Sequence, residues 1–136
     1  MEPRHIANAG TEAAHQSALM QMCAMNLSKY PELKWFHSIP NGGSRGDDIK
    51  SQIIRGNQLK AQGVKAGVPD LFLPVKRGQW SGLYVEMKKP GMLKNTSKEQ
   101  RQFIDFVRGQ DYAAIVCDSY LTAWDAVKQY LEWGKE

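Results

Sequence analysis

Two carboxylates and a lysine, placed at the ends of two apolar runs, are the residues of this sequence best suited to chemistry. Asp70 follows Pro69, and Glu86-Met87-Lys88 comes sixteen residues later. Because side chains alternate along a strand, Glu86 and Lys88 share one face. Oxygen ligands suit a hard divalent cation, and phosphodiester hydrolysis needs a fixed donor near the developing charge. The pattern therefore indicates metal-assisted cleavage of a phosphodiester.

In this interpretation Asp70 and Glu86 hold Mg²⁺ or Mn²⁺, and the main-chain carbonyl of Met87 is a third oxygen ligand. Lys88 orients the attacking water or neutralises charge on the phosphate. The alternative is a surface salt bridge between Glu86 and Lys88, with Asp70 simply beginning a strand. Glu-x-Lys alone is common by chance, but the Gly-x-Pro-Asp start, the hairpin spacing and the apolar strands together favour the site.

Helical spacing, alternation and turn residues predict the elements that position these side chains. Residues 1–10 are expected to be a flexible tail, and 11–133 a single domain. The predicted order is a helix over 11–29, a strand over 33–39, a polar helix over 47–62, a hairpin of 70–76 and 82–88, a helix over 97–109, a strand over 112–117 and a helix after Ser119. Ser97 and Gln100 have the form of a capping box. This order predicts an α/β fold, a mixed central β-sheet flanked by helices.

Bulk properties limit the class of protein. A chain of 136 residues is long enough for one domain with a core. A net charge of +4 is compatible with a polyanionic partner but is weak evidence for one. Its two cysteines lack metal-ligand spacing, and no apolar run is long enough to cross a membrane. These features predict a cytoplasmic protein with reduced thiols.

The ordered motifs resemble a known nuclease family. Pro69-Asp70 followed by Glu86-x-Lys88 resembles the PD-(D/E)XK nuclease signature. More narrowly, residues 63–71, residues 84–88 and Ser97-x-x-Gln100 resemble the VRR-NUC (virus-type replication-repair nuclease) family. The turn at residues 40–43 is similar to the turn after that family's first core strand. The resemblance covers about residues 11–132 and implies a restriction-endonuclease-like core.

Carried over position by position, the resemblance implies that Asp70 and Glu86 are metal ligands and that Lys88 is the catalytic lysine. It implies that Gln100 is an active-site residue contacting water, substrate or Lys88; the alternative is a capping role, which is compatible with the first. Glu12 resembles an acidic residue that reaches the metal in some relatives. The alternative for Glu12 is a first-turn glutamate that complements the helix dipole.

The resemblance also implies a substrate and an assembly. Standalone minimal members resemble Holliday-junction resolvases in size and tend to act as homodimers. We therefore expect a divalent-metal-dependent, structure-selective DNA endonuclease, a Holliday-junction resolvase of viral or mobile-element origin. The alternatives are a flap, nicking or restriction-type nuclease and a catalytically silent DNA-binding module. A final helix carrying Trp124, Tyr130 and Trp133 is a candidate dimer surface, although core packing is favoured for most of it.

Basic residues on both sides of the motifs are candidates for DNA contact. Arg45 and Lys65 precede the first carboxylate, and Lys89 and Lys94 follow the lysine of the motif. Phosphate contacts dominate affinity for nucleic acid, although a solvated surface is the alternative for each of these residues. No segment resembles a base-reading helix, so we expect DNA structure rather than base sequence to be recognised.

Overall fold

The computed structural model describes residues 1–40 and 48–135. Within these ranges, helices are α1 (Pro3–Ala7), α2 (Glu12–Met25), a 3₁₀ helix (Pro31–Trp35), α3 (Ile49–Ala61), α4 (Lys98–Gly109) and α5 (Tyr120–Glu132). The strands are β1 (His37–Ser38), β2 (Leu71–Leu73), β3 (Leu83–Met87) and β4 (Ala113–Cys117). No helix in these ranges is long and apolar enough to cross a membrane.

The four strands form one mixed sheet in the order β1-β2-β3-β4. The β1–β2 and β2–β3 pairs are antiparallel, and β3 and β4 are parallel. A parallel pair needs a long crossover, and α4 lies in this connection. The predicted α/β fold, the mixed sheet and the hairpin are therefore confirmed.

Helices cover the sheet on both faces. α2 and α5 pack on the main core, to which the strands contribute the fully buried Leu71, Leu73, Leu83, Val85 and Met87. α4 packs through Ile104 and Val107 against Ala114 in a second, smaller cluster. Since side chains alternate along β3, Tyr84 and Glu86 project toward α4 on the other face of the sheet.

Local signals account for the boundaries of α4 and α5. Ser97 and Ser119 accept hydrogen bonds from the first turns of α4 and α5, respectively, as their N-cap positions predict. Trp124 and Tyr130 of α5 are buried, whereas Trp133, which follows the helix as its C-cap, is half exposed. Core packing is therefore the role of two of the three aromatic residues considered for a dimer surface.

Two N-terminal predictions differ from the structure. The segment predicted to be a loose tail contains α1, whose Pro3 occupies a favourable first-turn position and is buried together with Ala7. The strand predicted over 33–39 is wrong for most of its length, because residues 31–35 form the 3₁₀ helix and only 37–38 pair with β2. The buried Leu33 and Phe36 are three residues apart, a helical spacing that alternation does not explain.

The polar helix predicted over 47–62 is confirmed as α3. Asp48 is its N-cap, and Asp48 Oδ1 accepts a hydrogen bond from the Ser51 N–H at 2.7 Å. The apolar side chains of this helix do not enter the core, since Ile49 and Ile53 are 76% and 58% exposed.

Candidate active site

The β2–β3 hairpin places the first carboxylate beside the second strand. Leu71 pairs with Val85, so Asp70, one residue earlier, lies level with Glu86, one residue later. The Asp70 Oδ2 atom accepts a hydrogen bond from the Met87 N–H at 2.8 Å. Its main-chain oxygen accepts from the Ile39 N–H at 2.7 Å, which ties the same residue to the chain after β1.

Three side chains form a closed network on the α4 side of β3. Lys88 Nζ lies 3.4 Å from Glu86 Oε2 and donates to Gln100 Oε1 at 2.8 Å. Gln100 Nε2 donates to the same Glu86 Oε2 at 2.5 Å. Glu86 and Lys88 are 3% and 9% exposed, so they do not form the surface salt bridge considered as the alternative.

Gln100 holds this network while it caps α4. Its Oε1 atom also accepts from the Ser97 N–H at 2.9 Å, and its own N–H donates to Ser97 Oγ at 3.1 Å. The capping box therefore fixes the side chain that contacts Glu86 and Lys88. Gln100 therefore contacts Lys88 and caps α4 at the same time.

Gly67 brings the loop before Asp70 against the start of α4. Its φ is +91°, a conformation that favours glycine, and a Cβ placed there would lie 2.5 Å from the carbonyl carbon and oxygen of Glu99. These are backbone atoms that cannot rotate away. A glycine is therefore required for the loop that precedes the first carboxylate to pack on the turn that carries Gln100.

The two carboxyl groups influence each other's environment. Burial, followed by the charge of Asp70 and a hydrogen bond with it, raises the pKa of Glu86 to about 8, while Lys88 acts in the opposite direction. A buried carboxylate next to another is costly to ionise, and a bound cation lowers that cost. The electrostatics therefore fit a site that is completed by positive charge.

The nearby donors are oxygens that suit Mg²⁺ or Mn²⁺. Asp70 and Glu86 supply the carboxylates, and the main chain of Met87 borders the Asp70 carboxylate through its N–H. Among residues 1–40 and 48–135, no group of three or more His, Cys, Asp or Glu side chains is placed to hold a metal. A cation here would therefore keep several waters, as Mg²⁺ commonly does.

Glu12 lies across a cleft from Asp70. The cleft has a volume of about 310 Å³, and its lining residues are Glu12, Ala13, Gln16, Ser17, Ser38, Ile39, Pro40 and Asp70. Sequence reasoning missed the polar Gln16, Ser17 and Ser38. The spacing of Gln16, one helical turn after Glu12, is a signal that would have found it, whereas nothing local marks Ser38.

The predicted DNA-contact residues are distributed around this region. Lys65, Lys89 and Lys94 are exposed. Lys65 lies in the loop before β2, and the other two lie between β3 and α4. Arg45 lies outside the described residues.

Comparison with known proteins places this geometry in a family. The sequence profile of the VRR-NUC domain matches residues 14–120, most of the chain. The chain belongs to the VRR-NUC domain family. A solved structure described as a VRR_NUC domain protein is similar, with a TM-score of 0.65 and 27% identity, over 90% of this chain and 88% of that one. No curated protein gave a significant match.

The VRR-NUC family is of nuclease type, and the matched range contains Asp70, Glu86, Lys88 and Gln100. Glu12 lies before the matched range. The family match therefore includes the residues of the hydrogen-bonded network, and it gives no support to a role for Glu12.

Gly67→Ala should be more destabilising than Gly63→Ala. Both positions have positive φ, so each alanine carries backbone strain of about 1–3 kcal/mol, but only Gly67 lies against another backbone; nothing lies within 4 Å of a Cβ at Gly63. Urea denaturation gives the free energy of unfolding of each variant. Equal losses for the two variants would contradict the proposed close packing.

In EDTA, the protein should lose stability as the pH rises from about 5 to about 8. The folded state keeps a proton on Glu86 that the unfolded chain releases near the ordinary pKa of 4.5, so ionisation favours unfolding across this window. Urea denaturation at several pH values measures the slope. Glu86→Gln cannot ionise and should flatten it; a slope as steep as that of the wild type would refute the assignment.

Proposed function

We propose that this VRR-NUC domain is a divalent-metal-dependent, structure-selective DNA endonuclease, and that a Holliday junction is its substrate. The observation that carries the proposal is the buried network in which Glu86, Lys88 and Gln100 meet beside Asp70. Two acids and a lysine on adjoining strands match what hydrolysis of a phosphodiester requires. Membership of a nuclease-type family supports the same reaction class.

Each side chain has a role in this proposal. Asp70, Glu86 and the carbonyl of Met87 would hold Mg²⁺ or Mn²⁺, which when bound supplies Lewis acidity and lowers the pKa of a coordinated water. Lys88 places positive charge beside the scissile phosphate and orients the attacking water. Gln100 holds Glu86 and Lys88 in register through its two amide atoms.

The cost of burial supports an active enzyme over a silent DNA-binding module. Removing charged groups from water costs several kcal/mol per ion, and a single lysine offsets only part of this for two carboxyls. Asp70, Glu86 and Lys88 are the buried charged residues of the described part of the chain. Concentrating them at one place is expensive for a scaffold and useful for catalysis.

The junction and homodimer parts of the proposal rest on symmetry. A four-way junction offers two equivalent strands, and a two-fold dimer presents two equivalent sites to them. Flap, nicking or restriction-type cleavage would use the same residues with another substrate. The products of cleavage distinguish these alternatives.

A labelled four-way junction should be cut in Mg²⁺ or Mn²⁺ by paired, symmetric incisions. Matched flap, nicked and linear duplexes serve as competing substrates, and EDTA should abolish the reaction. Lys88→Ala should lower the cleavage rate about 10³-fold, because it removes charge stabilisation next to the reacting phosphate. Lys128→Gln on α5, across the sheet from α4, is the matched control and should retain activity.

The cleavage products determine which part of the proposal stands. Cutting of flaps or linear duplex alone would keep the reaction and overturn the junction assignment. No metal-dependent cleavage of any of the four DNAs would overturn the enzyme assignment. Light scattering of the active protein tests the dimer independently.

Gln100→Ala should reduce cleavage more than Ser97→Ala. Both substitutions break the capping box, which is worth about 1 kcal/mol, but only the first removes the contacts with Glu86 and Lys88. Unfolding free energies and single-turnover rates of both variants separate the two roles. Equal rates at equal stability would mean that Gln100 acts only as a cap.

A further inference from the structure

A second cleft, of about 300 Å³, lies between α4 and β4. The residues that line it are Thr96, Arg101, Ile104, Asp105, Arg108 and Val116. We propose that each of its two arginines binds a backbone phosphate of the DNA strand that occupies the active site. This inference rests on the proposed nuclease function and adds a substrate-binding subsite to it.

Both arginines are held in place by main-chain carbonyls. Arg101 Nη1 donates to the Thr96 oxygen at 2.5 Å, and Arg108 Nη2 donates to the Ala114 oxygen at 2.7 Å. A guanidinium has five N–H groups, so one such bond leaves donors for an anion. Holding the planar group in advance reduces the entropy lost when phosphate binds, which makes arginine suited to this task.

The cleft borders the active site on its β4 side. Val116 pairs with Glu86 in the parallel β3–β4 register, and neighbouring strands lie about 4.8 Å apart. Arg101 directly follows Gln100, and Thr96 directly precedes the N-cap Ser97. A DNA strand with one phosphate at Glu86 therefore reaches the cleft by crossing the first turn of α4.

The helix places the arginines along one wall. Arg101, Ile104, Asp105 and Arg108 follow the spacing of a single helical face. Seven residues of α-helix span about 10.5 Å, so the α-carbons of the two arginines lie far enough apart for each side chain to serve its own phosphate. The hydrogen bonds to Thr96 and Ala114 fix where the two side chains lie, and the remaining N–H groups of each are available to an anion.

Asp105 is the opposing charge in the cleft. Within residues 1–40 and 48–135, no ion pair joins it to Arg101 or Arg108. Two arginines and one aspartate leave the cleft with a formal charge of +1. A carboxylate that is exposed between the arginines weakens the attraction for phosphate, so its removal should strengthen DNA binding.

The salt dependence of DNA binding tests the proposal. Fluorescence anisotropy with a labelled four-way junction and a labelled linear duplex, in EDTA to prevent cleavage, gives the binding constant at several KCl concentrations. Each phosphate contact contributes about 0.9 to the slope of log K against log salt. Arg101→Gln and Arg108→Gln should each lower the slope by about 0.9 and weaken binding to both DNAs.

Two further variants keep the test independent of folding. Asp105→Asn removes no contact that holds the cleft and should tighten binding several-fold. Lys128→Gln on α5 removes one positive charge on the opposite side of the sheet and should leave the slope unchanged. Thermal unfolding of every variant establishes that the binding changes belong to folded protein.

The outcomes separate this inference from the proposed function. Slopes equal to wild type for both folded arginine variants, or no gain for Asp105→Asn, would overturn the phosphate subsite. Metal-dependent cleavage by the wild-type protein alongside that result would leave the nuclease proposal standing. Failure of the wild-type protein both to bind either DNA in EDTA and to cut it in Mg²⁺ or Mn²⁺ would overturn both.

Discussion

The register of the β2–β3 hairpin is the constraint on which the site depends. Pairing of Leu71 with Val85 brings Asp70 level with Glu86, and the Asp70 carboxylate accepts a hydrogen bond from the Met87 N–H. A slip of one residue would exchange the two faces of β3. Glu86 would then enter the main core, and Val85 would face α4. The fully buried apolar residues on the core face oppose that slip, so core packing holds the carboxylates in position.

The start of α4 completes the site from the other side. Its capping box fixes Gln100, and Gln100 contacts both Glu86 and Lys88. Gly67 lets the loop before Asp70 pack on the same turn. One helix terminus thus joins two segments that are far apart in sequence. Stability of this turn and geometry of the site are coupled, because the same amide oxygen serves both.

The acidic and basic groups of the site are buried, where ionisation costs most free energy. Burial and the neighbouring Asp70 raise the pKa of Glu86, with Lys88 compensating only in part. A bound cation stabilises such a cluster, which is consistent with the proposed metal-dependent reaction. The adjoining cleft of Arg101 and Arg108 extends positive charge from the site along α4. Its location suits a polyanion that crosses the helix terminus.

Much of this arrangement was predictable from the sequence because its signals are local. Ser97, Gln100 and Ser119 carry cap chemistry, and the alternation in 83–87 predicts which side chains share a face. The order Asp70, Glu86, Lys88 and Gln100 indicated the family, and it predicts the candidate site that these residues form together. The strand expected over 33–39 failed because a proline-initiated turn buries Leu33 and Phe36 at helical spacing.

Only the tertiary structure decided the contacts between distant segments. The parallel pairing of β3 with β4, the close approach of Gly67 to Glu99 and the placement of Glu12 across a cleft from Asp70 each join residues that no local pattern connects. The same holds for the arginine cleft, because Val116 reaches it through the sheet register. Local sequence determines helix and strand propensity and the residues that cap each helix. The packing of distant segments determines the distances between their side chains, and the chemistry of the site depends on those distances.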